Sequence, residues 1–102
     1  MSPRYRLTPN AQENINEICA FIAEDSVDAA LRVPDALDHA FEELAAMPGM
    51  GHTREDLTAR PVKFWRVYSY LVVYDPGSSP LTVIAVLHGA RDIEQILKDI
   101  DR

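Results

Sequence analysis

Apolar residues recur along this chain at two different periods, and the change of period divides it into a helical half and a strand half. Ala11, Ile15, Ile18, Cys19 and Ile22 succeed one another at offsets of four, seven, eight and eleven, the stripe of an amphipathic helix. Gln12, Glu13, Asn16, Glu17 and Glu24 fill its other face. Thr8 is placed to cap this helix and Pro9 to open it, where a missing N–H costs nothing. Asp25-Ser26 breaks the period and supplies a capping side chain for a second helix reaching about Ala46. The buried stripe of that helix is Ala30, Val33, Leu37, Ala40, Phe41 and Leu44. Pro34 falls inside it, removes a backbone bond and predicts a kink. So short a turn between antiparallel helices makes a helical hairpin.

Before the hairpin, Arg4-Tyr5-Arg6-Leu7-Thr8 alternates polar and apolar residues and stops at Pro9, as a short edge strand does. After it, Met47 to Ala59 has no clear period and begins with a Pro- and Gly-containing loop. From Val62 to Tyr74 the residues are β-branched, aromatic or otherwise apolar, a run long enough to be split near Tyr68-Ser69 into two strands of a meander. Asp75 to Pro80 is a turn. Leu81 to His88 is apolar nearly throughout, which predicts a strand in the middle of the sheet or buried on both faces. Gly89-Ala90-Arg91-Asp92 is the last turn, with Asp92 as a cap, and Ile93, Ile96, Leu97 and Ile100 form a closing amphipathic helix. The predicted fold is α+β: a short N-terminal strand, a helical hairpin packed on a small antiparallel sheet, and a short C-terminal helix.

Composition fits one domain spanning residues 1–102. A chain of this size buries roughly 65% of its unfolded surface. The hydrophobic content of 47% excludes a disordered chain. The single cysteine, Cys19, lies on the helical stripe and reads as a small buried hydrophobe suited to a reducing compartment. No apolar run approaches the roughly 18 residues of a membrane span, and none follows the N-terminal arginines as in a signal peptide. The expected location is the cytoplasm.

The distribution of charge says more than its total of −6. Residues 10–47 hold nine acids against one base, Arg32, so the hairpin is an acidic layer on a mildly basic remainder. Phosphate contacts supply most nucleic-acid affinity, and this balance disfavours direct nucleic-acid binding.

The element order and three stretches resemble the ParE branch of the RelE/ParE superfamily of type II toxin–antitoxin systems, over essentially the whole chain. The stretches are Leu44 to Gly51, Phe64-Trp65-Arg66-Val67 leading to Tyr70–Tyr74, and Val86 to Asp92. The resemblance implies a cytoplasmic toxin neutralised by a cognate ParD-like antitoxin in a hetero-oligomer. ParE members are associated with inhibition of DNA gyrase, whereas RelE members cut mRNA in the ribosome, and fold alone does not choose between them.

The alternative, a RelE-like ribosome-dependent mRNA endoribonuclease, needs a base for the attacking 2′-hydroxyl, cations for the phosphate and an acid for the leaving oxygen. Arg66 and Arg91 match its two arginine positions, and beyond Arg91 the chain has neither Tyr nor His. No complete catalytic set is therefore expected. His88 reads as a general base or as a histidine closing a buried strand, and the lack of a converging partner favours the second. His52 is expected in solvent, His39 on the helical surface, and Trp65, Tyr68, Tyr70 and Tyr74 in the core. One Cys and three scattered His show no metal-ligand spacing, and no cofactor is expected.

Partner contact is expected on the hairpin. Glu13, Glu17, Phe21, Leu31 and Asp38 are the antitoxin-binding candidates, and their acidity favours a basic partner segment. Phe21 lies off the core stripe and is either exposed until a partner covers it or folded into the turn. Arg66, Arg91 and Lys98 are the target-binding candidates. A third reading is a toxin fold that has lost toxicity and persists as a binding module.

Overall fold

The computed structural model describes residues 4–88 and 93–100. In chain order it contains β1 (Tyr5–Leu7), α1 (Pro9–Ala23), α2 (Val27–Ala46), one 3₁₀ turn (Pro48–Met50), β2 (Lys63–Val67), β3 (Tyr70–Asp75), β4 (Leu81–His88) and α3 (Ile93–Ile100). This is the expected α+β order. The proposed cap Asp92 and the rest of that turn lie outside the described residues.

One sheet runs in the order β1-β4-β3-β2. β2, β3 and β4 form the antiparallel meander, while β1 lies at the edge parallel to β4. The sheet is thus mixed. The chain leaves β1 through the helical hairpin and re-enters at the far edge, so that the third meander strand arrives beside β1 in the same direction.

Both helices begin where their caps dictate. The Thr8 hydroxyl accepts from the Ala11 N–H at 3.0 Å and donates to the Ile84 carbonyl at 2.8 Å, so one side chain starts α1 and ties it to β4. Ser26 caps α2 through the Ala29 N–H at 3.2 Å. The α2 stripe is buried as Val33, Leu37, Ala40, Phe41 and Leu44, with Ala30 half-buried. The helix continues on both sides of Pro34, whose missing N–H leaves the Ala30 carbonyl without its usual partner.

The sheet is covered on both faces, and its alternation sorts the side chains. Trp65, Val67, Tyr70, Val72 and Tyr74 pack toward the helical hairpin with Ile15, Leu37, Phe41 and Leu44. Phe64, Leu71 and Val73 pack on the opposite face with Leu57, Ile93 and Leu97, where α3 lies. β4 is apolar nearly throughout because both faces of the sheet are covered, and a bulge shifts its alternation midway. Val73 pairs with Ala85 and Tyr74 with Val83, so Ile84 has no partner in β3. The extra residue keeps Leu81, Val83 and Val86 on the hairpin side, and Ile84, Ala85 and Leu87 against α3. The Val86 N–H, lying beyond the end of β1, donates to the Asn14 side-chain oxygen of α1 at 3.1 Å.

Two tyrosines lock the layers. Tyr74 is fully buried; its hydroxyl donates to the Pro48 carbonyl at 2.6 Å and accepts from the Gly51 N–H at 2.9 Å, fixing the loop after α2. A Cβ at residue 51 would sit 2.4 Å from that hydroxyl and 2.9 Å from the Phe64 carbonyl, which is why glycine stands there. Tyr5 donates to the Asp38 carboxylate and packs its ring on Phe41, with centroids 5.2 Å apart, joining β1 to α2. Burial first, and then the hydrogen bond and charge of Asp38, hold the Tyr5 phenol protonated well above its ordinary range. Burial likewise raises Tyr74, against a smaller opposing effect of the Gly51 N–H.

An unfolded chain releases tyrosine protons near pH 10, so above that pH the folded state binds more protons than the unfolded one. Stability contributed by these phenols is fully present below about pH 10 and is lost as the pH rises through their folded values. Urea denaturation at increasing pH should show a plateau up to about pH 9 and a decline beyond about pH 10. Tyr5→Phe should flatten part of that decline, and an unchanged slope would contradict the assignment.

Candidate functional site

The hairpin leaves one part of its sheet face incompletely covered. Two clefts open there and share Tyr70. One, of about 320 Å³, is lined by Glu17, Ile18 and Phe21 of α1, Tyr70 at the start of β3 and His88 at the end of β4. The other, of about 360 Å³, lies between Ile22, Ala29, Arg32 and Val33 of the hairpin and Tyr68, Ser69 and Tyr70 of the β2–β3 turn. They make a mostly apolar trough where the helical turn and the strand turn approach each other.

Its borders are unusually apolar for a surface. Phe21 is 68% exposed, Val27 and Leu31 66%, and Tyr68 62%. Single exposed apolar residues are ordinary, but Phe21 and Tyr68 at the edges of one concavity mark a contact surface. Phe21 lines the first cleft near the end of α1 and Tyr68 the second, whereas Val27 and Leu31, one turn apart on α2, are exposed on the side of that helix away from Ala29, Arg32 and Val33. Of the two sequence readings of Phe21, exposure is the correct one.

Glu17 and Arg32 are the charged residues that line the clefts, and the hairpin around them is acidic. Glu17 lines the trough, Glu13 stands one turn before it, and Glu24, Asp25 and Asp28 surround the α1–α2 turn, all exposed. Glu13 and Glu17 are an i, i+4 pair of like charge, which costs an isolated helix a few tenths of a kcal/mol. A cation brought by a partner would relieve that repulsion. Arg32, the single base of residues 10–47, lines the second cleft and has no ion pair among the described residues.

The structure therefore brings Glu17 and Phe21 together, with Glu13 a turn away, while Leu31 is exposed on α2 but lines neither cleft. Asp38 stands apart. It sits three turns into α2, where it accepts the Tyr5 hydroxyl, so its first duty is structural. Sequence patterning missed Ile18, Arg32, Tyr68, Tyr70 and His88 as trough residues. Tyr68 was expected in the core with the other strand aromatics, but it belongs to the two-residue β2–β3 turn and faces solvent. His88, expected to close a buried strand, is exposed and packs on Tyr70 with ring centroids 5.4 Å apart. The bulge at Ile84 turns it toward the hairpin.

The expected target residues lie elsewhere. Arg66 is exposed on β2, on the same face as Phe64 and hence on the α3 side of the sheet. Lys98 is exposed on α3. Arg91 is outside the described residues. His88 and Arg66 thus occupy opposite faces of the sheet. His52 is exposed, stacks on Trp65 at 6.1 Å and bridges its backbone to Phe64. His39 is exposed beside Glu43 at 3.5 Å. Among the described residues no three His, Cys, Asp or Glu side chains converge as metal ligands, and no helix is long and apolar enough to cross a membrane. Burial raises the Cys19 thiol, which keeps it protonated.

The sequence profile of the ParE toxin of type II toxin–antitoxin systems matches residues 5–93, from β1 through the start of α3. The chain belongs to the ParE toxin family. Toxin ParE1 of Mycobacterium tuberculosis, from strain CDC 1551 and from strain H37Rv, is 30% identical over 99 residues, covering 95% of this chain and all of that protein. The hairpin, the meander and the trough between them all fall inside the family match.

Residues that serve a partner rather than the fold can change with little effect on folding. Urea titration should place Glu17→Lys and Phe21→Ser within about 0.5 kcal/mol of the wild type. Asp38→Ala should cost about 1 kcal/mol, the net worth of the hydrogen bond that it makes with Tyr5. Equal losses at all three positions would remove the distinction drawn between Asp38 and the trough.

Proposed function

We propose that this chain is a growth-inhibiting toxin that binds DNA gyrase and is neutralised in the cytoplasm by a ParD-like antitoxin, with which it forms a hetero-oligomer. The observation that carries the proposal is the family match across nearly every element. Two features of the site support inhibition by binding over RNA cleavage. Arg66 and His88 stand on opposite faces of the sheet, and the hairpin's acidity would repel a phosphate backbone.

The same acidity suits a basic antitoxin segment, since opposite charge accelerates encounter and desolvated apolar anchors then hold the complex. The trough serves the antitoxin in this reading, while Arg66, Lys98 and Arg91 face the target. Antitoxin and target would then meet different sides of the sheet.

The test is pulse labelling of DNA and protein synthesis just after the chain is induced without antitoxin, together with a gyrase supercoiling assay on the purified protein. DNA synthesis should stop first with translation intact, and supercoiling should be inhibited. Translation failing first, with cut mRNA, would replace this reading with the ribonuclease one. No effect on either process would point to a detoxified binding module.

A further inference from the structure

The β2–β3 turn contains a conflict between backbone and side chain. Val67 pairs with Tyr70, so Tyr68 and Ser69 form a two-residue hairpin loop. Such loops place their first residue at positive φ and favour glycine or asparagine there. Tyr68 has φ 56°, and no other non-glycine residue among those described has positive φ. The fold gains little in return: the ring is 62% exposed, and no hydrogen bond engages its hydroxyl among the described residues. Yet this ring forms one wall of the trough, opposite Ile22, Ala29, Arg32 and Val33.

Strained backbone bearing an exposed aromatic beside an apolar concavity marks a side chain kept for contact rather than for folding. We infer that Tyr68 is a recognition residue, held in left-handed backbone so that its ring closes over an amphipathic, basic segment of the antitoxin lying in the trough. This rests on the toxin–antitoxin reading and adds to it the residue that grips the partner. Charge selects the occupant. A second copy of this chain would bring net charge −6 and an identical acidic hairpin against Glu17, Glu24, Asp25 and Asp28. A segment with Lys or Arg beside its apolar anchors meets Glu17 of the adjoining cleft and the acidic hairpin turn, and one carboxylate on it would meet Arg32, which lines the cleft beside Tyr68. Tyrosine suits such a role, offering a large rigid contact area at low entropic cost.

The probe is the protein encoded by the reading frame adjoining the gene for this chain, titrated by calorimetry against the full-length wild type, Tyr68→Gly and Tyr68→Phe. Tyr68→Gly relieves the backbone conflict, so its Tm should equal or exceed that of the wild type, while its affinity for the antitoxin should fall about tenfold or more. Tyr68→Phe keeps the ring and should bind within about threefold of the wild type. A lowered Tm for Tyr68→Gly would make Tyr68 a structural residue and overturn the inference. Wild-type affinity in Tyr68→Gly would overturn it while leaving the toxin–antitoxin reading intact. Failure of the adjoining protein to bind the wild-type chain would instead sink that reading, and this inference with it.

Discussion

The fold depends on burying β4 on both faces at once. A regular strand of eight residues shows alternate side chains to each face, but β4 is apolar nearly throughout and lies between β1 and β3. Both faces are covered, so both sets of side chains must be apolar, and the bulge at Ile84 shifts the alternation so that Ile84 and Ala85 both face α3. A bulge leaves backbone groups out of step with the ladder, and buried ones must find partners. Thr8 and Asn14, at the start of α1, meet the Ile84 carbonyl and the Val86 N–H. The position of α1, and through it of α2, follows from that accounting.

The same arrangement explains why the trough exists. The first turns of α1 are bound to β4 by side-chain bonds, and α2 is bound to β1 through Tyr5 and Asp38. Toward the α1–α2 turn such links give way to Ile18, Ile22 and Val33, which reach only part of the sheet surface around Tyr70. The hairpin is anchored at one end and open at the other.

Much of this was legible from residue patterns. Helix boundaries followed from Thr8, Pro9 and Ser26, the strand break from Tyr68-Ser69, and the central place of β4 from its continuous apolarity. The parallel pairing of β1 was not legible, because three residues carry no directional signal. Nor was the bulge, which displaces no single residue type. That hidden shift also misplaced His88. Asp38 looked like one acid among nine, since its bond to Tyr5 spans 33 residues of chain. Phe21 and Leu31 stood off the helical stripes and were visible for that reason. Tyr68 was not, because a tyrosine between two strands reads as core until the turn's backbone is known.

In the proposed reading the antitoxin covers the open end of the hairpin, while the α3 side of the sheet is left for the target. Amide hydrogen exchange on the free chain and on its complex with the antitoxin tests it most directly. Binding should slow exchange in residues 18–33 and at the β2–β3 turn, with little change in β2 at Arg66 or in α3. Protection appearing instead along α3 and β2, with the hairpin turn exchanging as in the free chain, would contradict the account.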